Sequence, residues 1–267
     1  MEDETGNAYR KHELANMKRV SLIQKSWLAH LRIRQLGHPG LGRCLLCLLP
    51  SDAASDLCLY CRTDLPRLNI ESGFLNSHCD QPKNIGTTEQ YRLLRRSHAA
   101  AVVTPLAYER EVVWLINQQK HRSGRVASRV LAELLADSIA AAYAEQPLPS
   151  RVIPVPLHWY RELRRGVNQS EVLAHWLSKR LPIKVHTNWV RRNRMTHKQS
   201  LLGHAERQAN VAQAFSATRA GRRQIPGRSI ALLDDVLTTG ATLGALATSV
   251  RAAGAGEIHL WTPARAM

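Results

Sequence analysis

The chain has 267 residues, enough for one large α/β domain and a small module, and 44% of them are apolar, which suffices for a real core. Lys and Arg outnumber Asp and Glu by 37 to 21, a formal charge of +16 that attracts polyanions: nucleic acid, nucleotides, phosphosugars or an acidic membrane surface. No stretch reaches the ~18 apolar residues of a membrane helix, and a start at Glu2, Asp3 and Glu4 does not read as a signal peptide, so the expectation is a cytoplasmic protein with reduced thiols and no membrane span.

Residues 1–40 read as a poorly structured extension. Residues 41–66 hold Cys44-x2-Cys47 and Cys58-x2-Cys61, with ten residues between the pairs. A two-residue gap lets two thiolates of one tight turn face one metal ion, and two such turns complete a tetrahedral Zn(Cys)4 site. Four thiolates leave no position for water, so the expected Zn2+ is structural. Cys79 stands alone, without a partner pair. Residues 67–98 are polar and read as a linker or arm.

From residue 99 to residue 267 the texture is that of a doubly wound α/β domain. Ala99 to Ala107 is small and apolar, a strand. Glu109 to Gln119 and Gly124 to Ala144 have helical periodicity. Arg151 to Pro156 is a buried strand ended by proline. Asn168 to Leu181 is an amphipathic helix, and Leu201 to Phe215 is helical in part. Arg228 to Leu233 has no polar alternation, as in a parallel strand buried on both faces. Thr242 to Ala253 is a helix, and Glu257 to Thr262 is the last strand.

The turn after Leu233 carries the chemistry. Asp234 and Asp235 sit at the carboxyl end of a parallel strand, where such folds bind ligands. Val236, Leu237, Thr238, Thr239, Gly240, Ala241 and Thr242 follow at once. Gly240 permits a tight turn in which successive amides point into one concavity, the threonine hydroxyls add donors, and the next helix adds positive potential. One half suits a phosphate. The other suits a ribose diol, held by the acids. Together they describe a 5-phosphoribosyl group.

The same residues match the phosphoribosyl-diphosphate motif of type I phosphoribosyltransferases: an apolar run, paired acids, then Thr-Thr-Gly-x-Thr. With the cysteine pairs in front, the chain resembles the ComF/GntX family of competence and DNA-utilisation proteins. Pro154-Val155-Pro156-Leu157-His158 with Arg161, Arg164, Arg165, Gly166, Asn168 and Gln169 resembles a second block of that family. Lys120-His121 resembles its lysine block, and the stretch from Thr196 to Phe215 its third. Relatives often carry a second cysteine knuckle, of which only Cys79 is left here.

The resemblance implies a type I phosphoribosyltransferase-like domain that binds 5-phosphoribosyl 1-diphosphate with Mg2+, and a role in handling incoming single-stranded DNA with DNA-uptake or recombination proteins. Lys120, Arg161, Arg164 and Arg165 are the expected diphosphate contacts, since arginine forks suit diphosphate oxygens. Residues 191–223 hold eight Arg or Lys and one acid, Glu206, and could close over a diphosphate or contact a nucleic-acid backbone; Trp189 beside them could stack on a base or lie in the core. Two readings stay open. One is a transferase in which a nitrogen nucleophile displaces pyrophosphate. The other is a binding or adaptor protein without turnover.

Overall fold

The apolar runs of the second half form one parallel sheet. The computed structural model describes residues 42–51, 55–68, 73–74, 97–119, 124–157, 167–193 and 214–266, in two compact units, Met1–Leu65 and Pro66–Met267. The expectations that rest on residues 1–40, Cys79, Lys120, His121, His158, Arg161, Arg164, Arg165, Gly166 and the stretch 196–213 lie outside the described residues.

The strands are β1 (Gly73–Phe74), β2 (Ala101–Val103), β3 (Leu106–Ala107), β4 (Arg151–Pro154), β5 (Lys184–Val185), β6 (Val190–Arg192), β7 (Phe215–Ala217), β8 (Ile230–Leu233), β9 (Val236–Leu237), β10 (Ile258–Trp261) and β11 (Ala264–Arg265). The helices are α1 (Leu59–Asp64), α2 (Arg110–Gln118), α3 (Arg125–Ala142), α4 (Gln169–Leu177), α5 (Arg219–Gln224) and α6 (Ala241–Ala252). The main sheet runs β1-β2-β10-β8-β4-β5, and every pair in it is parallel except the edge pair β1–β2.

Side chains alternate between two helical layers. Ile258 and Leu260 of β10 share a core with Leu243, Leu246 and Val250 of α6. His259 and Trp261, between them, meet Tyr143 at the end of α3, with ring centroids 5.6 and 5.9 Å away. Both faces are covered, which is why the strands read as apolar runs.

From β4 the chain winds through α4 to β5 on one side, and from β8 through α6 to β10 on the other. The direction of winding therefore reverses between β4 and β8. That is the switch point at which open α/β sheets form a crevice beyond their carboxyl ends.

A second sheet, β3-β11-β9, is parallel throughout and repeats the order of β2-β10-β8. Each of those central strands pauses and then resumes for two residues. The pauses fall at Thr104-Pro105, Thr262-Pro263 and Asp234-Asp235. Proline has no amide to give to a ladder, so two of the breaks follow from sequence. The run expected as one strand over Ala99 to Ala107 is thus two. The helix expected to reach Leu181 ends at Leu177, and Phe215, expected in a partly helical stretch, opens β7. Strands β5, β6 and β7 and helix α5 are too short to leave a periodic signal.

Trp189 is buried (5% exposed) and its ring is covered by His186, with centroids 3.7 Å apart. It is core, and no face is left for a base. Beside it, a Cβ added at Gly221 would drive into the carbonyl of Trp189. Gly221→Ala is expected to destabilise the domain by about 2–4 kcal/mol, read from denaturant midpoints, because backbone has to move.

His259 is buried in a polar network. Trp261 Nε1 donates to the Tyr143 hydroxyl (3.2 Å), and that hydroxyl is hydrogen-bonded to Nδ1 of His259 (2.8 Å). Nε2 of the same ring is hydrogen-bonded to Ser229 Oγ (3.0 Å). Burial holds the His259 pKa down to about 4, against the pull of Glu257. The unfolded chain therefore binds the extra proton first: this contribution is intact above about pH 6.5 and is lost as pH falls towards 4. Relative to His259→Gln, the wild type is expected to lose about 2–3 kcal/mol between pH 7 and pH 4.5 in parallel melts. The comparison with the variant cancels the other titrating groups. Parallel pH profiles would refute the buried neutral imidazole.

Candidate ligand crevice and cysteine cluster

At the switch point the ladder continues one residue past the strand ends. Asp234 N donates to Trp261 O (3.2 Å), Thr262 N to Val103 O (3.0 Å) and Val155 N to Leu233 O (2.8 Å). Val155, Asp234, Thr262 and Thr104 thus occupy one row across four adjacent strands. Among the described residues the buried hydroxyls of Thr104 and Thr262, and the buried Nε2 of Gln169, have no partner. Each such orphan costs about 1–3 kcal/mol, and three at one sheet edge are a load that a site can justify and a core cannot.

Helix α4 is brought to this edge by its cap. Asn168 accepts from Ser170 N (3.2 Å) through Oδ1 and donates through Nδ2 to Val155 O (3.1 Å), tying the helix start to the end of β4. Sequence leaves Asn168 open between cap and ligand contact; it is the cap. The Ser170 hydroxyl then donates to Asp234 Oδ1 (3.1 Å), and the same oxygen accepts from Asp235 N (2.9 Å). Burial, and after it the charge of Asp235, pushes the Asp234 pKa up to about 8, although both hydrogen bonds act to lower it. Both acids are partly exposed, and the charge of Asp235 also helps raise Tyr108, chiefly a consequence of that ring's burial. Tyr108 and Ser170 flank the two acids, and nothing in their sequence context marks either one.

The turn after the acids bends tightly at Gly240. Gly240 has φ +72°, the left-handed region that glycine enters without a Cβ penalty, and it caps α6. Among the described residues the amides of Thr238, Thr239 and Gly240 donate no hydrogen bond, while the Thr239 hydroxyl accepts from Ala241 N (3.4 Å). Val236 and Leu237 are held as β9 beside β11. One of the nine expected residues, Leu237, faces the core, so it supplies backbone and not side chain.

In the amino-terminal unit, Cys44, Cys47, Cys58 and Cys61 come together with all four sulfurs within 4.8 Å of one another and the Cys47–Cys58 pair at 3.6 Å. A tetrahedron with metal–sulfur bonds of about 2.3 Å has edges of about 3.8 Å, so the donor set fits a thiophilic cation. Cys58 caps α1, accepting from Cys61 N (3.4 Å). Neighbouring thiols and amides donate to Cys44 and hold it well below the ordinary thiol range, while Cys61 is driven up by the Cys44 thiolate and by burial. The Cys44 proton leaves easily, whereas burial pushes Cys47 up as well as Cys61. A cation is what would let all four ionise. The cluster can hold a metal ion.

A parallel α/β sheet with a Thr-Thr-Gly-x-Thr turn at its switch point, in a chain that also carries a four-cysteine cluster, defines a phosphoribosyltransferase-like protein. The chain is 38% identical over 154 residues to competence protein F of Haemophilus influenzae, covering 57% of this chain and 67% of that one. It is 34% identical over 170 residues to the DNA utilization protein YhgH of Escherichia coli O6:H1, covering 62% and 72%. The chain belongs to the ComF family. No family model matches it. The glutamine phosphoribosylpyrophosphate amidotransferase of B. subtilis superposes loosely, at TM-score 0.34 and 22% identity over 51% of this chain and 26% of that one. The class rests on strand order and turn sequence, not on that superposition. Among the described residues no helix is long and apolar enough to cross a membrane.

Proposed function

We propose that the crevice binds a 5-phosphoribosyl group, presented as 5-phosphoribosyl 1-diphosphate with Mg2+, and that this binding serves the handling of single-stranded DNA. The observation that carries the first half is the turn: three amides without partners beside a left-handed Gly240, at the start of α6, with two acids one step before them. The 5-phosphate would take the amides and hydroxyls of Thr238 to Thr242. Asp234 and Asp235 would accept from the ribose hydroxyls, and Asp234 would also hold the loop, its Oδ1 accepting from Ser170 and the Asp235 amide. Lys120, Arg161, Arg164 and Arg165 are our proposed diphosphate contacts. Mg2+ comes with the ligand and would neutralise diphosphate charge. The second half is supported by the names of the relatives, one a competence protein and the other a DNA utilization protein. We propose Zn2+ for the cysteine cluster, in a structural role.

Calorimetry tests the first half. Asp235→Asn is expected to weaken the Mg2+–phosphoribosyl diphosphate complex about 10–100-fold, the loss of charge-assisted hydrogen bonds to ribose, while leaving metal content at the cysteines unchanged. Equal affinity in wild type and variant would sink the assignment. Release of pyrophosphate on adding nucleobases would make the protein a transferase; tight binding without release would make it a sensor or adaptor.

A further inference from the structure

The structure contains a lobe without carboxylates. Residues 179–193 and 214–228 hold seven Arg and two Lys and not one Asp or Glu, and of these cations Arg180 is paired with Glu133 of α3 (2.7 Å). They also form one body. β6 pairs with β7, Thr218 Oγ1 donates to Asn188 O (2.7 Å), Thr218 N donates to Trp189 O (2.9 Å), and Arg228 Nε donates to Gln224 O (2.5 Å). Lys184, Arg191, Arg219, Arg222, Arg223 and Arg228 are all exposed on it. His186 feels these cations: its pKa is lowered first by burial, then by Arg151 of β4, and then by Arg228 and Lys184 of the lobe.

We propose that this lobe is the nucleic-acid contact of the protein and holds the phosphate backbone of single-stranded DNA without reading bases. The proposal rests on the DNA half of the function given above. Three features select the occupant. The cations are mostly Arg, whose planar fork matches two phosphate oxygens at once. The exposed large apolar side chains, Leu49, Leu59 and Tyr60, all lie in the amino-terminal unit, so among the described residues the lobe offers none to insert into a lipid surface. Both Trp189 and Phe215 are buried, Trp189 under His186 and Phe215 under Arg192, which leaves neither as a platform for stacking a base. Backbone recognition is what is left.

Position adds a consequence. Arg151, Lys184 and Arg228 stand at the amino ends of β4, β5 and β8, or just before them, whereas Asp234 and the glycine turn lie beyond the carboxyl end of β8. The DNA and the phosphosugar therefore occupy opposite edges of the sheet and do not compete.

Fluorescence anisotropy of a labelled oligo-dT with the full-length, metal-loaded protein tests this. Lys184→Gln/Arg222→Gln/Arg223→Gln/Arg228→Gln is expected to weaken binding more than about 10-fold and to flatten the slope of log K against log salt by about 2–3, at roughly 0.7 for each phosphate that is no longer neutralised. Arg43→Gln/Arg62→Gln/Arg110→Gln/Arg125→Gln removes the same charge elsewhere and is expected to change affinity less than about 3-fold. Replacing the four cations by Arg or Lys of the other kind should restore most of the affinity and the full salt slope. Saturating phosphoribosyl diphosphate with Mg2+ should not displace the oligonucleotide. If wild type binds and the two Gln quadruple variants behave alike, the lobe is not the contact. If wild type does not bind at all, the DNA reading falls with it. Preference for phosphatidylserine vesicles over oligo-dT at equal salt would assign the lobe to a membrane and overturn the proposal.

Discussion

Cys61→Ser, or removal of metal from the wild type by a chelator, is expected to unfold residues 42–65 while the α/β unit keeps its fold. The amino-terminal unit has almost no core of its own: among its described residues only Cys44, Leu45, Leu57 and Leu65 are buried apolar side chains. Its helix α1 has six residues, far short of what stands alone in water. The hydrogen bonds that shape it, such as Cys44 N to Leu49 O (2.8 Å) and Leu48 N to Cys44 O (2.9 Å), close turns around the sulfurs. Leu48 also sits at φ +63°, a conformation that a branched side chain resists. Structural zinc supplies on the order of 10–16 kcal/mol of apparent binding free energy, which dwarfs anything this core can provide. The readouts are metal per chain and proteolysis. The variant should lose its metal and be cut between residues 42 and 65, and the α/β unit should resist. A module that stays protease-resistant in excess chelator would show that packing, not metal, holds it.

The cysteine cluster and the glycine turn were legible because both are local. Two CxxC pairs, or a strand followed by paired acids and Thr-Thr-Gly-x-Thr, fix their geometry within 18 residues, Cys44 to Cys61, or 13, Ile230 to Thr242. The long elements were legible for the related reason that period survives over nine or more residues, as in α2 and α3. What sequence could not give is what arises between strands. Ser170 meets Asp234 across 64 positions, and only the β4–β8 register brings them together. The mini-sheet β3-β11-β9 consists of two-residue pieces, each too short for any pattern, yet its order follows once β2, β10 and β8 are placed. Trp189 stays open in sequence between core and base platform for the same reason: its cover, His186, acts through a stack and not through spacing. The division of labour between the two acids is equally hidden, since their side chains are equivalent in a linear reading.

That division leads to the second large effect. Asp234→Asn is expected to stabilise the ligand-free protein at pH 8 by a few kcal/mol and to weaken the phosphoribosyl ligand at the same time. Both hydrogen bonds that Asp234 accepts, from Ser170 and from the Asp235 amide, land on Oδ1, and the Asn oxygen can accept both. The substitution therefore keeps the brace and removes only a charge that burial and Asp235 oppose. Its folded pKa is raised from 3.8 to about 8, so the folded chain binds more protons than the unfolded one across that interval. The contribution to stability is whole below about pH 3.8 and is lost as pH rises through about 8. The gain from Asn should thus be greatest at pH 8 and vanish near pH 4, at roughly 1.4 kcal/mol for each pKa unit. On the proposed function, this carboxylate serves the ligand, whose hydroxyl donors would favour its ionised form. Melting curves of wild type and variant at pH 8 and pH 4.5, with and without Mg2+–phosphoribosyl diphosphate, separate the cases. If the variant is less stable than wild type at pH 8 without ligand, the carboxylate is already compensated within the fold, and the reason for placing a phosphosugar beside it is gone.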